Sequence, residues 1–293
     1  MKTLVVLTIL LVTFYCTSRE KSQSHTVQNA LAKYDVPMPE PRPGEWLHEH
    51  KETGQSLQTY FSINPNSPTS DRNLIYLQPV GLFSSAQNQI IGKTAAYLQL
   101  FFGLKTVVLK PISDQTFPDT VYRLNEYRDT QILAPYILNS VLKPVVPSDG
   151  IAFMAITEKD LFPKPSWNYV FGLGSFHDRT GVTSIYRFQD HKTDSLANQK
   201  CLERMIKTVS HEIGHMFTMK HCIHASCLMN GTNSLHETDS RPNRLCSECF
   251  AKLYWNLKWK PKERQTALSA WFKDQHLKND YRLSEKDRKA IGK

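Results

Sequence analysis

Residues 211–221 read HEIGHMFTMKH and constrain this chain more than any other stretch. On a helix, residues four apart share a face, so His211 and His215 point the same way, with Glu212 bordering that face. His221 follows six residues later, and a straight helix cannot aim it at the same point. The helix must therefore stop and the chain must turn back. Three neutral imidazoles with one open position form a catalytic zinc site, and a glutamate beside it can take a proton from an activated water. Upstream, Leu202, Met205, Ile206, Val209, Ile213, Met216 and Phe217 recur at helical spacing as one apolar stripe. At about 100° per residue, the two histidines point away from that stripe. The helix is expected to pack its back on a core and offer its histidines to a cleft.

The sequence continues HCIHASCLMNG and, further on, LCSECF. Here it resembles the archaemetzincins, a branch of the metzincin zinc peptidases. Their pattern joins three histidines to a cysteine after the third, a second cysteine, a methionine two residues on, and a distal CxxC. Cys222, Cys227, Met229, Cys246 and Cys249 occupy those places, and Asp160 to Phe188 is similar to the family's segment ahead of the active-site helix. The resemblance covers roughly residues 70–275. It implies His211, His215 and His221 as ligands of a catalytic zinc and Glu212 as general base. Met229 would form the Met-turn, a hydrophobic base for the imidazoles. Cys222, Cys227, Cys246 and Cys249 suit a second, structural zinc, making two per chain; two disulfides are the competing reading for a secreted protein. One departure stands out: metzincins usually carry glycine three residues after the second histidine, and here the residue is Thr218.

The 293 residues suffice for one large domain or two small ones. The alternation of strand and helix patterns implies an α/β fold with a mixed, mainly parallel sheet. Leu74 to Val80, Thr106 to Ile112, Ile151 to Thr157, Tyr169 to Ser175 and Val182 to Phe188 read as strands. The last two form a hairpin-like pair, and Tyr169–Ser175 is the candidate cleft-lining edge strand, with an interior position as the alternative. Ser85 to Phe102 reads as a helix with Ile91, Ala95, Leu98 and Phe102 on one side, and 129–143 as another, kinked or begun at Pro135. The expected organisation is a catalytic subdomain over 71–221 and a smaller, helical one over 222–293 that carries the Met-turn and the four cysteines. Residues 19–70 are polar and proline-bearing and read as an irregular segment wrapped on the domain. The charged stretch 278–293 is expected to fray.

The net charge of +9 comes from scattered basic residues with no dense block or reading motif, which speaks against nucleic acid as a partner. A peptide or protein substrate is the expected partner. A zinc-binding protein that holds peptides without cutting them, or a four-cysteine module that binds acidic polymers, are the rivals. Residues 1–18 have a lysine start, an apolar run too short for a comfortable membrane span, and small residues before Arg19, which together suit a cleaved signal peptide and no lasting membrane anchor. Its removal leaves five cysteines, an odd count, with Cys201 as a free thiol off the helix's apolar stripe. The sequon at Asn230 follows the Met-turn methionine and should be too enclosed for glycosylation. Expressed in a secreting cell, the protein is expected in the medium with an N-terminus at or near Arg19, as read by terminal sequencing; an intact chain in the cytosol would contradict this.

Overall fold

The computed structural model describes residues 19–189 and 194–292; the signal-like stretch 1–18 lies outside them. The chain opens with helix α1 over 19–32, followed by the short helices α2, Trp46–Glu49, and α3, Leu57–Ser62. The segment 19–70 is thus more ordered than its composition suggested. The inner face of α1 is narrow: Ser24 and Leu31 are fully buried and Val27 partly so, and the serine satisfies itself on the Glu20 carbonyl at 3.0 Å. A stripe with a serine in it carries little hydrophobic periodicity to read.

Strands β1 (Leu74–Val80), β2 (Thr106–Val108), β5 (Gly150–Thr157), β7 (Gly172–Gly174) and β8 (Thr180–Ser184) form one sheet in the order β2-β1-β5-β8-β7. All pairings are parallel except β7 against β8. Every residue of β5 is buried, as its continuous apolar run implied. β7 lies at the end of this order, so the hairpin after Asp160 leaves its first strand at an edge. Helix α4, Ser85–Phe102, starts with a reciprocal capping box between Ser84 and Gln87 and stops at Gly103 in a left-handed turn at φ 66°.

A second sheet, β3 (Tyr122–Leu124), β4 (Thr130–Leu133) and β6 (Asp160–Phe162), is a finding that the sequence pattern did not show. It corrects the helix expected over 129–143. Pro135 sits in the first turn of α5, Ala134–Tyr136, which widens into a π-helical turn over Ile137–Leu142. A proline has no N–H to donate, so a helix can begin there but not run through.

Helix α6, Ser195–Met216, packs on α4 and beneath β7 and β8, and all seven residues of its apolar stripe are buried. Cys201 is buried too, in the main core, and its burial pushes the thiol up to about 12. After α6 come α7 (Leu235–Ser240), α8 (Ser247–Leu257), α9 (Pro261–Asp274) and α10 (Lys278–Ile291). α10 does not fray; it packs along α9. Its inner face is polar, and Asp287 accepts from the buried Arg244 at 2.9 Å, so a face that resembles a solvated one is paired inside. Among the described residues no helix is long and apolar enough to cross a membrane.

Candidate metal centre and cleft

Asp194 caps the start of α6 by accepting from the Ala197 N–H at 2.8 Å. At the other end, His211 and His215 bring their Nε2 atoms to 3.0 Å. The Nδ1 atoms are tied elsewhere: His211 to the Leu228 carbonyl at 2.9 Å, His215 to the Met219 carbonyl at 2.7 Å, and His221 to Glu52 Oε1 at 2.7 Å. A carbonyl or carboxylate oxygen only accepts, so each Nδ1 donates, which puts the lone pair of the neutral form of each ring on Nε2. One ligand atom from each of the three rings lies within 4.8 Å of the others. Desolvation, reinforced by the neighbouring rings, holds His211 at about 3 and His215 well below its ordinary range, so neither takes a proton to relieve the crowding. Two lone pairs at 3.0 Å repel unless a cation lies between them. Tetrahedral zinc with Zn–N near 2.1 Å spaces its nitrogens about 3.4 Å apart, so the donor set fits that ion.

The turn that delivers His221 is left-handed at Thr218, φ 66°. The Thr218 and Met219 N–H groups bond back to the carbonyls of His215 at 2.8 Å and Gly214 at 3.1 Å. A β-branched residue is strained here. Its hydroxyl, however, accepts the backbone N–H of Asn66 at 3.0 Å. The orphan carbonyls at the helix end are also taken by residues from 55–66: Asn66 Nδ2 on Met216 at 2.9 Å, the Tyr60 hydroxyl on Phe217 at 2.7 Å, and Gln55 Nε2 on Thr218 at 3.0 Å. The N-terminal segment is therefore a strap over the end of α6.

Met229 lies against Gly214, where a Cβ would come within 2.6 Å of the methionine sulfur. Asn230 is 3% exposed and fully engaged: its Nδ2 donates to the Cys222 carbonyl at 2.7 Å, and its Oδ1 accepts from Cys227 N at the same distance. The sequon is thus enclosed. Cys222, Cys227, Cys246 and Cys249 bring their sulfurs within 4.8 Å of one another, all buried and none in a disulfide. Cys222 and Cys246 sulfurs are 3.6 Å apart, far beyond a covalent S–S bond and near the roughly 3.8 Å edge of a zinc-thiolate tetrahedron. Backbone N–H groups of Met229 and Cys246 point at the Cys227 sulfur at 3.4 and 3.2 Å, as suits a thiolate.

Glu212 faces a cleft of ≈ 660 Å³ that the three histidines also line. Strand β7 runs directly against it. A Cβ on Gly172 would sit 2.7 Å from Glu212 Oε1, and one on Gly174 2.6 Å from the Glu212 carbonyl oxygen, so both glycines are needed for this approach. Burial pushes the Glu212 carboxyl up to about 8, against a hydrogen bond from the Gly174 backbone. Glu52, Trp46 and the two glycines were missed by sequence reasoning. Glu52 lies 169 residues from His221, and nothing local marks it. Its Oε1 also accepts from the Trp46 indole at 3.0 Å, while the Trp46 ring packs edge-on to His221 with centroids 5.0 Å apart. His177, His224 and His236 stay outside the cluster, His224 being paired with Asp35 at 3.3 Å; His191 lies outside the described residues.

Residues 139–254 match the family model of peptidase family M54. Archaemetzincin-2 of Macaca fascicularis is 32% identical over 269 residues, covering 80% of this chain and 73% of the relative. Human archaemetzincin-2 matches with the same identity and coverage. A solved archaemetzincin from Methanopyrus kandleri superposes with a TM-score of 0.53 at 26% identity, covering 66% of this chain and 99% of that one.

The turn at Thr218 makes a stability prediction. Thr218→Val keeps the branched Cβ and loses the acceptor for Asn66; leaving that N–H unpaired should cost about 1–3 kcal/mol. Thr218→Gly loses the same acceptor but also releases left-handed strain of about 1–3 kcal/mol, more than the entropy glycine adds to the unfolded chain. Thermal melts at matched zinc should place the glycine variant above the valine variant. The reverse order would mean that Thr218 is not strained.

Proposed function

The chain belongs to the archaemetzincins, a family of zinc metallopeptidases, and from that premise we propose that it is a secreted peptidase in which His211, His215 and His221 hold the catalytic zinc and Glu212 is the general base. The observation that carries this reading is the convergence of three imidazoles with free Nε2 lone pairs beside a buried carboxylate on an open cleft. Zinc, when bound, supplies a Lewis acid for the scissile carbonyl and lowers the pKa of a water. Glu212 has the environment of a base that holds a proton briefly. Desolvation favours its protonated form and a bound zinc would favour its charged form, so its carboxylate could take a proton from water and return it to the leaving amine. Glu52 is a positioning residue that fixes the His221 ring through Nδ1.

Substrate binding is assigned to β7. Its partner β8 takes one side, in the register Gly172 to Thr183 and Gly174 to Gly181. Its other side has no strand partner among the described residues, although the Gly174 N–H is engaged by Glu212, and we assign it to an extended peptide, whose backbone hydrogen bonds would bind with little regard to side chain. The four thiols are assigned a second, structural zinc that ties the His221 loop to the start of α8. Secretion rests on the signal-like residues 1–18.

Glu212→Ala is expected to lower hydrolysis of a mixed peptide library by about 10²–10⁴-fold while zinc content stays at the wild-type level. Retention of most activity would sink the role given to Glu212. Metal analysis of the wild-type chain should find two zinc ions, and Cys246→Ser should lose one of them together with thermal stability. Two disulfides among the four cysteines, seen by mass spectrometry of unreduced protein, would remove the structural zinc from this scheme.

A further inference from the structure

Two buried cations on the wall of the cleft are left unused by the reaction described above. Lys207 lies one turn before His211 on α6, about 6 Å along the helix axis. It is 4% exposed, and its Nζ donates to the Thr238 carbonyl at 2.8 Å. Among the described residues no carboxylate lies within ion-pairing distance of it; Glu203, Asp280 and Asp239 act on it only from further away. An ammonium has three protons to place, and desolvation pushes this one below the ordinary lysine range. Arg241 is 7% exposed, and its Nε has no hydrogen-bond partner. Among the described residues its one nearby carboxylate, Glu237 at 3.5 Å, is already engaged by the Asn233 N–H at 2.7 Å and by the Trp46 N–H. Both side chains line the same cleft as Glu212.

Buried charges are ordinarily paired, because an unpaired one loses its hydration with nothing to replace it. Cations held underpaired against an open cavity mark a place where an anion is received. The rest of the cleft agrees in sign. Its lining includes Lys51, Lys164 and Lys220 as well, against the carboxylates of Glu52 and Glu212 alone. Of those two, Glu52 is bonded to His221 and Glu212 is the proposed base.

We propose that Lys207 and Arg241 form a subsite that receives a carboxylate of the peptide substrate within about two residues of the scissile bond, so that acidic peptides are the preferred substrate class. Two residues of extended chain span about 6.6 Å, which matches the one-turn offset of Lys207 from His211. The proposal rests on the peptidase reading of the cleft. The carboxylate can come from an aspartate or glutamate side chain or from a free C-terminus.

The test uses the zinc-loaded chain carrying Glu212→Gln, so that peptides bind without being cut. Capped, amidated alanine-based pentapeptides with one Glu, Gln or Lys at each position are titrated calorimetrically. The Gln set is repeated with a free C-terminal carboxylate. A charge-assisted hydrogen bond should make a carboxylate peptide bind about tenfold or more tighter than its neutral counterpart at one position. The amidated Glu set and the free-acid Gln set separate the two sources. Adding Arg241→Gln, or Lys207→Met where that variant folds, should shrink the gap toward parity. Carboxylate and neutral peptides that bind alike or not at all, or a gap that persists undiminished in Arg241→Gln, would overturn the subsite. Hydrolysis by the chain with Glu212 intact is followed in parallel. Carboxylate-selective binding without hydrolysis would leave the subsite standing and remove the peptidase reading; unselective binding with hydrolysis would do the reverse.

Discussion

Three Nδ1–H hydrogen bonds set the chemistry of this protein. Each donates to an oxygen held in place by a different part of the chain: Leu228 just ahead of Met229, Met219 in the turn after α6, and Glu52 in the N-terminal strap. Together they dictate the tautomer of each ring and aim three lone pairs at one point. A helix alone can place two of the three. The third needs the left-handed turn at Thr218, and that turn is braced from both sides: by strap residues on the exposed carbonyls, and by the four-cysteine knot directly after His221.

The departure from glycine at residue 218 is intelligible in this light. Glycine would make the turn without strain and offer nothing to a neighbour. Threonine makes it with strain and offers an acceptor to Asn66. The strained turn and the strap over it are one arrangement, in which a local cost is offset by contacts between segments 150 and 152 residues apart.

Legibility in the sequence followed the range of the interactions. The active-site helix, its buried stripe and the three histidines were plain, because helical periodicity and ligand spacing act within a few residues. The four cysteines were plain through their pattern, and the mixed parallel sheet through the alternation of apolar runs. What escaped was whatever depends on distant partners. Glu52 is an ordinary acid until His221 is folded against it. Gly172 and Gly174 are ordinary strand glycines until Glu212 lies beneath them. The strand Thr130–Leu133 is hidden in a helix-like stretch because its partners lie on either side in sequence, at Tyr122–Leu124 and Asp160–Phe162. α10 looked solvated because the arginine that pairs with its buried Asp287 lies 43 residues away, in the loop before α8.

The strap also has a consequence for the order of synthesis. Residues 46–66 leave the ribosome well before the groups they bind, which run from Met216 to Asn256. Contacts of such separation form late, because the loop they close must be ordered first. During translation the early segment has no helix end to clasp, and the first two histidines, when they emerge, have no third. The cleft therefore comes into being only after the stretch through Asn256 has been made, and a nascent chain that stops soon after His215 carries the first two histidines without the third or the strapped turn.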